Sequence, residues 1–149
     1  MVNTLKAFLA AVLLTFLLAS ILATQSVLAQ VQAMGLHVGW DTRLLTTGQD
    51  IIGMASSYLV LISVAFIIAL PVASWLARRF PGQRALLFVL AGFVAMLALH
   101  LALQSALGIH VVAATRSLPG LLGQCLAGAV GGYCYSKLRR PPATVPANT

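Results

Sequence analysis

Residues 53–107 read GMASSYLVLISVAFIIALPVASWLARRFPGQRALLFVLAGFVAMLALHLALQSAL: two apolar runs joined by Arg78-Arg79-Phe80-Pro81-Gly82-Gln83-Arg84. Each run is about 20 residues long, the length an α-helix needs to cross the hydrocarbon core of a bilayer. The joining turn holds three arginines and no acid. Short arginine-rich loops stay on the cytoplasmic side, so this hairpin sets the expected orientation of the whole chain.

Composition agrees. The chain is 60% hydrophobic and 7% charged, with a mean hydropathy of +1.00. A soluble domain needs about a quarter of its residues charged to cover itself, so lipid is the expected cover here. The formal charge of +7 does not point to nucleic acid, because of where it lies. Lys6, Arg78, Arg79, Arg84, Lys137, Arg139 and Arg140 flank apolar runs; only Arg43 and Arg116 stand elsewhere, with the two acids Asp41 and Asp50. That pattern is a topology signal and an attraction to anionic lipid head groups.

Outward from the hairpin, the chain reads as an all-α integral membrane protein of four transmembrane helices, about 7–29, 53–77, 84–107 and 118–136. Both termini are expected in the cytoplasm, and residues 141–149 as a disordered Pro-rich tail. The first run follows Lys6, and Val27-Leu28-Ala29 before Gln30 resembles a signal-peptide cleavage site. The run is long for a signal peptide, so an uncleaved first helix is expected. Residues 30–52 are polar-leaning, and Gly35, Gly39 and Gly48 oppose one unbroken helix. They are expected as a periplasmic segment of short helical turns, with Trp40 at headgroup depth. On this division neither acid falls within a helix, which removes carboxylate dyads and acidic proton relays. Pro71 falls near the inner end of the second helix. Ser117 and Pro119 form a start signal for the fourth.

The fourth helix is crowded with small residues. Gly128 and Gly132 make a GxxxG, and Gly123, Ala127 and Gly131 make a ridge beside it, a pattern that lets another helix approach closely in lipid. Cys125 and Cys134 lie on the same helix nine positions apart, roughly 13 Å and beyond disulfide reach. They are expected as small packing residues.

The two halves also echo each other. Residues 33–43 and 106–116 share Ala, Gly, His, Val, Thr and Arg at matching positions, and the same shift sets Lys6 on Arg79. A tandem repeat of two-helix units, related by an axis along the membrane normal, would explain this. It would bring His37 and Arg43 near His110 and Arg116 on the outer face, with His100 and Gln104 just below. Such a cluster suits an anion, a lipid phosphate or a quinone head group. The plainer alternative is that each His and Arg caps its own helix and reaches the interface. Gln124 is at a depth to partner His100, as are Ser56 and Ser57.

No metal site or catalytic set is expected, since thiols and imidazoles fall at different depths. The leading expectation is therefore a small non-enzymatic accessory or assembly subunit of a larger complex in a bacterial inner membrane. Its partners would be other integral membrane subunits or further copies of itself, met through the Gly-rich fourth helix. An oligomeric transporter or channel-like protein with an outer His/Arg site is the alternative. A quinone- or haem-associated redox subunit is the third reading, since four-helix membrane cytochromes hold haem between histidines on facing helices.

Overall fold

In the computed structural model, residues 2–107, 115 and 117–139 are described, and all the long elements are helices. They are α1 (Val2–Ala33), α2 (Trp40–Arg79), α3 (Arg84–Leu107) and α4 (Leu118–Leu138), with a 3-10 turn, Pro81–Gln83, between α2 and α3. The helices pack in the cyclic order α1–α2–α3–α4 and back to α1, while the diagonal pairs barely touch. His110, Arg116 and the 141–149 tail lie outside the described residues, as does most of the second copy of the internal echo.

Among the described residues, three helices are long and apolar enough to cross a membrane: Asn3–Ala33, Trp40–Arg79 and Arg84–Ala106. α4 falls short of that measure, because glycines, Gln124, tyrosines and Lys137 dilute its leucines. Large apolar side chains face outward on every helix, among them Leu5, Leu9, Leu13 and Leu17 of α1, Val64 and Ile68 of α2, Leu90 and Val94 of α3, and Leu122 and Leu126 of α4. Most inward positions of α1 are small or hydroxylated instead: Ala7, Ala11, Thr15, Ala19, Ser20, Ala23 and Thr24 are buried, with Val12, Phe16 and Leu28 the larger exceptions. Large side chains on lipid and small ones between helices is the arrangement expected where packing, not water, drives association.

The segment between α1 and α2 is much shorter than the sequence suggests. α1 ends at Ala33 with Gly35 in the left-handed region (φ 85°), and Gly39 is extended just before α2. Those two glycines break the helix as expected. Gly48 and Gly53 do not, and α2 runs unbroken for 40 residues, through Pro71 as well. Each interior glycine costs about 1 kcal/mol relative to alanine. Four side-chain bonds to α1, described below, hold the first turns of α2 in place against that cost. Asp41, in the first turn, is also favourably placed against the helix dipole.

α4 starts as its sequence indicates. Ser117 Oγ accepts from the Gly120 amide at 3.3 Å, and Pro119 occupies the first turn. Its glycines meet neighbouring backbone: a Cβ on Gly128 would collide with Gly92 and Met96, and one on Gly132 with the Phe88 carbonyl. A Cβ on Gly131 would strike Thr15 and Ala11 of α1. The small-residue ridge is therefore occupied by α3 and α1 of the same chain, which removes the free docking face on which an accessory role was expected to rest. Gly123 is the exception, with nothing nearer than Leu22 at 3.8 Å.

Candidate functional site: a polar column inside the bundle

One group of hydrogen bonds joins all four helices. Gln124 of α4 donates through Nε2 to the Ala19 carbonyl of α1 at 2.9 Å, which leaves its Oε1 free to accept. Tyr58 of α2 donates its hydroxyl to that Oε1 at 2.7 Å. The same Tyr58 oxygen lies 3.4 Å from Nε2 of His100 on α3, whose Nδ1 is 2.8 Å from the Met96 carbonyl. A carbonyl only accepts, so Nδ1 carries the ring proton and Nε2 presents a lone pair toward Tyr58. Gln124 is fully buried, and Tyr58 and His100 nearly so. Phe16 packs edge-on against Tyr58, with ring centroids 6.3 Å apart.

A second group lies toward the Arg43 end. Thr24 of α1 contacts Asp50 Oδ2 at 2.7 Å, and Gln25 Nε2 donates to Thr47 Oγ1 at 3.5 Å. Arg43 donates to Gln25 Oε1 and Gln32 Oε1, both at 2.6 Å, and lies 5.8 Å from the centre of the Trp40 ring. Both acids therefore lie within a helix, correcting the expectation that none does. The error follows from the helix start: α2 begins at Trp40, not near residue 53.

Facing stripes connect the two groups. Phe16, Ser20 and Thr24 recur every four residues along one side of α1; Asp50, Met54 and Tyr58 do the same on α2. Phe16 meets Tyr58 and Thr24 meets Asp50, so Ser20 lies between the groups. Its hydroxyl is buried and has no hydrogen-bond partner among the described residues. Thr15, Thr24, Ser26, Thr47, Ser63 and Ser74 all turn back onto the carbonyl four residues earlier; Ser20 does not. Below the hub the interior becomes apolar, with Ile62, Phe66, Leu70, Phe88 and Met96 buried.

The residues singled out from sequence are thus only partly assembled. His100 and Gln124 meet through Tyr58. Gln104 is exposed and takes no part, and His37 is exposed in the short link between α1 and α2. Arg43 stands 15 residues before Tyr58 on α2, about 22 Å along the axis, so it is not a neighbour of His100. No second imidazole among the described residues approaches His100, and none of them form a cluster of three or more His, Cys, Asp or Glu suited to a metal. Both cysteines are free thiols; Cys125 is buried and Cys134 half-buried on α4.

Comparison with protein-family models, with curated proteins and with solved structures finds no match.

The sequence reading places Ser56 and Ser57 at the depth of His100 but does not single out Tyr58 beside them. The available signal was its depth. Membrane tyrosines concentrate at the interfaces, and a buried tyrosine hydroxyl seeks a partner. Tyr58 lies well inside α2, 18 residues from its start.

At the opposite end, the cationic residues lock the termini of α2, α3 and α4 together. Arg139 donates to Ser74 and Tyr135, and Arg84 donates to the Arg139 carbonyl. Between α2 and α3 an open groove of about 380 Å³ is lined wholly by apolar side chains, including Val64, Ile68, Ala98 and Leu99.

Proposed function

We propose that this chain is a non-enzymatic, multi-pass membrane protein of the transporter or channel-like kind, in which α4 also crosses the bilayer. In this reading its interior forms a half-channel, entered from the face bearing Arg43 and Asp50 and closed midway by Ile62, Phe66, Leu70, Phe88 and Met96. Both termini and the arginine turn lie on the cytoplasmic side of a bacterial inner membrane, in keeping with the distribution of basic residues. The observation that carries the reading is the run of polar side chains along the α1–α2 seam, from Arg43 to Tyr58. Polar groups inside a membrane bundle face the protein interior or a water-filled path and default to a functional interpretation.

Cysteine accessibility tests it. In a Cys125→Ala/Cys134→Ala background, single cysteines at Thr47, Thr24 and Ser20 should react with a membrane-impermeant thiol reagent applied to the Arg43 face. A cysteine at Ile62 should not. Reaction at Thr47 alone, with Thr24 and Ser20 refractory, would sink the half-channel and leave the column as a structural clasp.

The second reading, an accessory subunit of a membrane complex, is favoured by the apolar plug, since one copy then offers no through-path. Its contact faces would be the outward leucines of α1 rather than the glycines of α4. Gentle extraction should then recover a stoichiometric set of other membrane proteins.

A further inference from the structure

Counting protons in the column exposes two shortages. Thr24 Oγ1 has one hydrogen but faces two acceptors, the Ser20 carbonyl at 3.0 Å and Asp50 Oδ2 at 2.7 Å. Tyr58 has one hydrogen and two acceptors as well, Gln124 Oε1 at 2.7 Å and His100 Nε2 at 3.4 Å. The amide of Gln124 cannot flip to relieve this without losing Ala19, nor can the His100 ring move its proton without losing Met96. A proton on Asp50 would let Thr24 satisfy Ser20, and a proton on Nε2 would give Tyr58 a donor. Between the two stands Ser20 Oγ, buried and unpartnered, one helical turn or about 6 Å from Thr24.

We propose that the interior takes up a proton from the Arg43 side, with Asp50 as its entrance, a water held on Ser20 Oγ as its relay, and His100 Nε2, reached through Tyr58, as its terminus. The proposal rests on the half-channel reading and names its substrate. A proton from bulk water first bonds to a carboxylate oxygen of Asp50. That O–H bond then breaks as the proton joins the Ser20-bound water, which releases one of its own to the Tyr58 oxygen. Tyr58, its hydroxyl turned from Gln124, gives its original hydrogen to Nε2. Asp50 ends as a carboxylate, the water and Tyr58 are unchanged, and one proton has been gained at His100; no electron moves. The charged or titratable neighbours are few. Arg43 is the cation nearest Asp50 along α2, α1 bonds it through Thr24, and α4 sets Cys125 beside Gln124.

The test uses a His37→Gln/His110→Gln chain in lipid nanodiscs, where His100 is the only imidazole. Exchange of its ring protons with water is read by nitrogen-15 NMR. The proposal expects rapid exchange, slowed by Ser20→Ala and by Asp50→Asn, with Thr15→Ala, a buried hydroxyl off the path, leaving it unchanged. Ser20→Ala removes only an unpartnered hydroxyl, so the fold should survive, and circular dichroism checks that it does. Equal exchange in all variants would overturn the relay. If the Ser20 cysteine also reacts with the impermeant reagent, the half-channel stands and only the proton is wrong. If it does not react, both fall together.

Discussion

The two sides of α1 and α4 are held by opposite means. Where α4 meets α3, backbone lies on backbone across Gly92, Gly128 and Gly132, and near Gly131 it closes on Thr15 and the Ala11 carbonyl of α1. Where α1 meets α2, the contact runs through hydroxyls, amides, a carboxylate and a guanidinium. The first kind of contact has one solution and no tolerance. The second can exchange partners, since a hydroxyl turns with little cost and a carboxylate takes or gives a proton. Rigidity on one flank and rearrangeable polarity on the other is what a bundle needs if something small is to enter it without the helices separating.

The rigid flank should break hardest. Gly128→Leu places a side chain where the Gly92 backbone lies, and overpacking of this severity costs on the order of 3 kcal/mol or more. Gly132→Ala should follow closely, because even its Cβ meets the Phe88 carbonyl. Both should lower yield and abolish cooperative unfolding in mild detergent. If either variant melts like the parent, α3 and α4 are not packed backbone to backbone.

A smaller loss is expected at the hub. Tyr58→Phe keeps the ring against Phe16 but leaves Gln124 Oε1 and His100 Nε2 without the hydroxyl. Interhelical hydrogen bonds in lipid average roughly 0.6 kcal/mol, and a stranded buried acceptor adds to that, so a cost of about 1–2 kcal/mol is expected. Thermal unfolding measures it. A loss as large as that of Gly128→Leu would make the hub the main fastener of the fold, not an adjustable element.

The same contrast explains what could be read from the chain. The Gly128–Gly132 ridge is legible because its period lies within one helix. Its counterpart Gly92 is not, because a single glycine in an apolar run announces no partner. The hub is half visible: His100 and Gln124 share a depth, but their link is made across helices through Tyr58, which no local spacing announces. The start of α2 was misplaced because Gly48 is a poor helix residue taken alone. What overrides it are contacts to Gln25, Gln32 and Thr24, 11 to 26 residues away in sequence. Local propensity carries no information about them. His110 and Arg116, which anchor the second copy of the echo, lie outside the described residues.

Gly123 gives the smallest effect and separates the two functional readings. It belongs to the same ridge as Ala127 and Gly131, yet a Cβ there meets only Leu22, at an ordinary van der Waals distance of 3.8 Å. Within the single chain, Gly123→Ala should be neutral to slightly stabilising, within about 0.5 kcal/mol, since alanine is the better helix former. Unfolding of the purified protein checks this part. If the variant is stable alone but accumulates poorly in its native membrane, Gly123 is needed for a contact outside the chain, and the accessory-subunit reading gains what the other glycines deny it. If it accumulates normally, the small-residue ridge serves the fold only, and the polar column remains the place to look for what the protein does.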